Sequence, residues 1–176
     1  MKRPSRGRAK AAPLIEVMVR SPQWKRQPRA AATVRKAINT AAIAASTPRA
    51  ELAIVLTDDS AIRALNRDWR GLDAPTNVLS FPAKAPRARP RVSGGSLRDR
   101  YLGDIVIAYQ TIAREAAAEG KAFKHHLAHL AVHGFLHLIG YDHESDRDAR
   151  EMERLEIDIL ARLDVPDPYA AHGAGR

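Results

Sequence analysis

Six of the seven histidines lie between positions 125 and 143. A helix turns about 100° per residue, so His126, His129, His133 and His137 fall within an arc of about 80° on one face. Imidazoles at i and i+4 sit on adjacent turns, with Cβ atoms roughly 6 Å apart. His133 and His137 can therefore reach one ion. Gly140 can take the left-handed conformation that ends a helix and turns the chain, which brings His143 back over the same face. The string from His133 to His143 has the spacing H-x3-H-x2-G-x2-H. Three neutral imidazoles without a thiolate suit Zn2+, and three protein ligands leave a fourth tetrahedral position open, the pattern of a catalytic site. A structural site would be closed by a fourth ligand. His129 is the candidate for that role, although on a straight helix it sits a full turn from the pair.

Metzincin proteases share this spacing, with a Glu after the first His acting as general base. Here Gly134 stands at that position, which disfavours a zinc peptidase. No base is assigned from sequence. Asp142 and Glu144 flank His143, Asp104 lies near the start of a strand, and His126 and His129 continue the stripe. Each could orient water or support a ligand from behind.

These residues need a scaffold. Leu14–Val19, Glu51–Leu56, Asn77–Phe81 and Leu102–Tyr109 read as strands, rich in β-branched and apolar residues. Helices are expected over 29–45, from the Thr57–Ser60 cap region to Gly71, from Thr111 to Gly120, and from Lys124 to Ile139. A last helix starts at Ser145, where Ser145 and Asp148 form a candidate capping box. Its flank, residues 142–158, holds eight acids and three arginines and reads as a solvated face. Trp24 and Trp69 are expected in the core. Four strands and about five helices make an α+β domain, a small sheet that buries one face against helices.

The string HGFLHLIGYDH resembles the bacterial endoribonuclease YbeY family, the ribosomal RNA maturation factors. So do Asn66 to Arg70, Pro75 to Pro82 (PTNVLSFP) and Leu102-Gly103-Asp104-Ile105. The likeness runs from about Leu14 to Tyr169 and implies one metal-dependent endoribonuclease domain over 14–169, a small mixed four-stranded sheet packed with about five helices, the metal-binding helix central. It implies a single-strand-directed enzyme that matures the 3′ end of small-subunit ribosomal RNA and serves ribosome quality control. Its zinc ligands fall on His133, His137 and His143, and its functional arginine on Arg70. The resemblance implies ribosomal RNA and the ribosome or ribosomal proteins as partners, and a cytoplasmic location.

Composition fits this reading. The 176 residues carry 29 Lys and Arg against 20 Asp and Glu, a net of +9. Residues 1–36 alone hold eleven of those cations and one acid. With no cysteine, disulfides, a thiol nucleophile and thiolate zinc fingers are excluded. No stretch approaches the ~20 apolar residues of a membrane span. No secretory signal is expected, and residues 1–13 read as a flexible basic tail rather than a transit peptide. Residues 83–100 form a basic loop insertion with six cations and one acid, longer than the family connection. Arg87, Arg89 and Arg91 within it are candidate auxiliary RNA contacts. Residues 170–176 are a C-terminal tail. A non-catalytic RNA-binding assembly protein with a structural metal is the remaining alternative.

Overall fold

The computed structural model describes residues 12–47, 49–83 and 101–170. Most of the basic tail, residues 84–100 of the basic loop with Arg87, Arg89 and Arg91, and nearly all of the C-terminal tail lie outside the described residues. The described chain runs β1 (Leu14–Val19), α1 (Ala30–Ala44), β2 (Glu51–Thr57), α2 (Asp59–Arg70), β3 (Val78–Pro82), β4 (Tyr101–Ala108), α3 (Tyr109–Ala118), α4 (Phe123–Leu138) and α5 (Asp146–Ala161). The expected α+β architecture is present. Boundaries differ from the sequence reading by a residue or two, as fraying ends allow.

The strands form one mixed sheet in the order β1-β2-β4-β3. β1, β2 and β4 are parallel, and β3 lies antiparallel at the edge. Alternation sends successive side chains to opposite faces. Leu52, Ile54, Leu56, Ile105 and Ile107 face the main core with Ile38 of α1 and Leu127, Phe135 and Leu136 of α4. Val106 and Leu79 face the other way, onto Ile62 of α2. Being covered on both faces, β2 is buried almost throughout.

Local chemistry sets the ends. The Asp58 side chain accepts from Ala61 N at 3.0 Å to cap α2, and Gly71 ends that helix at φ +71°. The Ser145 hydroxyl accepts from Asp148 N at 3.2 Å, so α5 starts where the capping box predicts. Gly103 has φ +128°, and a Cβ there would meet Phe81 O at 2.1 Å. Only glycine fits the register shift at the start of β4.

Gly134 matters most for the site. A Cβ added to it would stand 2.9 Å from Ile105 Cγ2 and 3.1 Å from Ser80 Oγ. The Ser80 hydroxyl donates to Gly134 O at 3.1 Å. Helix α4 thus meets β3 and β4 at near-backbone distance, which fixes its rotation.

Two expectations need correction. Trp24 is buried, inside an unexpected 3-10 turn over Pro22–Arg26, and its Nε1 donates to Thr57 O at 2.8 Å. Trp69, in contrast, is 69% exposed. It touches Phe81 edge-on, with ring centroids 5.7 Å apart. Phe81 sits on the edge strand, so no further strand among the described residues covers the indole. The acidic flank is also not wholly solvated, because Glu156 of α5 is fully buried.

Candidate metal centre

Once α4 is turned by Gly134 toward the sheet, its histidines line the neighbouring flank, about 60–140° round the helix. Their rings form a continuous run: centroids are 6.3 Å apart for His126 and His129, 6.2 Å for His129 and His133, and 4.6 Å for His133 and His137. Gly140, at φ +95°, turns the chain after α4. That turn places the His143 ring 5.1 Å from His137 and 6.1 Å from His133. The structure therefore brings together the three residues selected by spacing.

The ring nitrogens show what this cluster can hold. His133 Nδ1 faces Glu156 Oε1 at 2.7 Å, and His137 Nδ1 faces the Tyr141 carbonyl at 3.0 Å. Both partners are acceptors, so each neutral imidazole carries its proton on Nδ1 and a lone pair on Nε2. Yet the two Nε2 atoms stand 3.1 Å apart. Two lone pairs at that distance repel. A shared cation removes the repulsion, and two nitrogens about 2.1 Å from one tetrahedral ion are themselves about 3.4 Å apart. The donor set fits a zinc-type ion. Burial lowers the His137 pKa below its usual 6.5, reinforced by His133 and His143, so His137 is neutral and able to ligate at pH 7.

Other groupings are possible within the cluster. His137, Asp142 and His143 bring ligand atoms within 4.8 Å of one another, as do His129, His133 and Glu156. In the second trio the His133 atom meeting the carboxylate is Nδ1, so that trio is a hydrogen-bonded cluster behind the ligand. Asp142 supports His143: its Oδ1 accepts from His143 N at 2.7 Å and lies 3.4 Å from His143 Nδ1. His133 and His137 thus each meet an oxygen acceptor at Nδ1, and a carboxylate stands beside the third ring.

Several supporting residues are absent from the sequence reading. Glu156 Oε2 meets His129 Nε2 at 3.4 Å and also accepts from the Tyr169 hydroxyl. Burial alone would raise the Glu156 pKa; the hydrogen bonds to His129 and His133 more than offset this and lower it to about 2. Burial and the Glu156 charge raise the Tyr169 hydroxyl well above its usual 10, so it stays a donor. Further along, His126 Nε2 pairs with Glu115 Oε2 at 2.7 Å, and Asn77 Nδ2 donates to the same carboxylate at 3.1 Å. A cleft of about 270 Å³ runs from Asn77 and Glu115 past His129 to His133 and Tyr169. The available signal for Glu156 was its place in the apolar stripe Met152, Glu156, Ile159, Leu160.

Asp104 lies elsewhere. Ile105 faces α4, so its neighbour Asp104 points to the other sheet face, where it accepts from the Tyr101 hydroxyl at 2.7 Å. Asp104 is not brought to the histidines. Arg70 closes α2 and is exposed, with no hydrogen bond or ion pair among the described residues.

Comparison with known proteins follows the same line. The profile of the endoribonuclease YbeY family matches residues 18–164. An endoribonuclease YbeY of Rhodopseudomonas palustris (strain HaA2) is 56% identical over 162 residues, 91% of this chain and 83% of that protein. One from Bradyrhizobium sp. (strain BTAi1) is 57% identical over 160 residues, 90% of this chain and 93% of its own. The solution structure of a Thermotoga maritima protein, 20% identical, aligns with a TM-score of 0.50 over 93% of this chain and all of that one. It is similar in fold.

Proposed function

The chain belongs to the endoribonuclease YbeY family, and from that premise we propose that it is a zinc-dependent endoribonuclease. It hydrolyses phosphodiesters of single-stranded RNA with one ion held by His133, His137 and His143. The observation that carries the metal reading is the pair of Nε2 lone pairs 3.1 Å apart, each backed by an acceptor on Nδ1. Zinc supplies Lewis acidity, which polarises a phosphoryl oxygen and lowers the pKa of water to about 7.

The chain's own residues supply the rest. His133, His137 and His143 present nitrogen donors from a turn-linked helix end. Arg70 pairs with phosphate oxygens, since guanidinium matches two oxygens in one plane. Gly134 supports RNA over peptide as substrate: any side chain there would enter the contact with Ile105 and Ser80, so the metzincin base has no place. The substrate in the cell is the 3′ region of small-subunit ribosomal RNA, met on or near the ribosome in the cytoplasm. No helix of the described residues is long and apolar enough to cross a membrane.

The test compares a single-stranded RNA with a peptide substrate, with and without chelator. RNA cleavage abolished by the chelator and restored by zinc is expected. Cleavage of the peptide instead, or RNA cleavage indifferent to chelation, would overturn the proposal.

A further inference from the structure

We infer that Glu156 is the positioning residue of the metal centre: its buried carboxylate, gripped by Tyr169 and His129, fixes His133 with its Nε2 turned to the ion. The inference rests on the metal reading above. A charge in this place needs a reason. Glu156 shares a buried stripe with Met152, Ile159 and Leu160 of α5, where a leucine would avoid the cost of desolvating a carboxylate. The carboxylate instead collects three donors. His133 Nδ1 lies at 2.7 Å, His129 Nε2 at 3.4 Å, and the Tyr169 hydroxyl completes the set.

The consequence for His133 is specific. An imidazole donating from Nδ1 has its lone pair on Nε2, and a carboxylate behind the ring raises the basicity of the ligand. His137 is held the same way by a backbone carbonyl, which no substitution removes. His143 has only the exposed Asp142 at 3.4 Å. Glu156 is thus the buried side chain on which the orientation of a metal-facing imidazole depends. Through Tyr169 it also ties the C-terminal segment to the centre, although that residue is 36 positions from His133 in the chain.

The test uses the full chain and two readouts. Glu156→Gln keeps the shape and removes the charge. Zinc affinity is measured by chelator competition, and long-range 1H–15N NMR of zinc-free wild type reads the His133 tautomer. The variant is expected to bind zinc about 10–100-fold more weakly, and wild type to carry the His133 proton on Nδ1. A folded variant with wild-type zinc affinity would overturn the inference alone. Should the variant not fold, the wild-type spectrum decides: a proton on Nε2 overturns it, and one on Nδ1 supports it. Wild type that binds no zinc would overturn the metal reading and this inference together.

Discussion

At Arg70 a guanidinium stands exposed and unpaired among the described residues, at the end of a helix whose other arginines are engaged. Arg63 is bidentate to Asp73 at 2.8 and 2.9 Å, and Arg67 pairs with Asp68 at 3.1 Å. Among the described residues no hydrogen bond or ion pair of the fold depends on Arg70. Arg70→Ala should leave thermal unfolding unchanged and lower RNA cleavage on the order of 10²-fold, the cost of one lost transition-state donor; unimpaired cleavage would remove the residue from the mechanism. His137 gives a pH prediction. Its pKa is lowered in the folded protein, so the unfolded chain takes up the proton first as pH falls through 6.5. Metal-free protein therefore loses stability from that contribution between 6.5 and the lower folded value. Thermal unfolding from pH 7.5 to 5.5 should show a steeper acid decline in wild type than in His137→Asn. A flatter wild-type curve would reverse the sign.

At the scale of elements, the rotation of α4 against the sheet decides which residues become a site. Gly134 sets it, because only hydrogen fits between the helix and Ile105. Gly134→Ala should cost about 1–3 kcal/mol by overpacking, measured by urea unfolding; a neutral effect would mean the interface yields freely. The clustering of His133, His137 and His143 was legible because helical spacing and Gly140 specify a common face without reference to any other element. Glu156 was not, because eight acids between 142 and 158 look like one solvated face. Which of them turns inward depends on how α5 docks on α4. Asp104 shows the same limit from the other side. Its strand could be read from Ile105, Val106 and Ile107, but its face is set by the packing of Ile105 under Gly134. Trp69 overhangs an edge strand, and strand order is a tertiary fact.

At the scale of the whole molecule, net charge divides from chemistry. The +9 is concentrated in residues 1–36, whereas the histidine cluster and its carboxylate belong to α4, α5 and the turn between them. With aromatics only 5% of the chain, widespread base stacking is excluded, and affinity must lean on phosphate contacts. Binding of a short single-stranded RNA should weaken steeply with salt. Deleting residues 1–13 should weaken it further and flatten the salt slope, while cleavage at saturating RNA continues. Loss of cleavage under those conditions would place the tail in the chemistry. The strand and helix count was readable from periodicity and caps and the mixed sheet only from the family resemblance, whereas the edge position of β3 was not.

The central claim is that one ion at His133, His137 and His143 supports RNA cleavage. Titrating metal-free protein with zinc while following cleavage of a single-stranded RNA tests it most directly. The rate should rise with added zinc and reach its plateau at one zinc per chain, with no such rise in His133→Ala or His137→Ala. A zinc-independent rate, or the same titration in those variants, would contradict it.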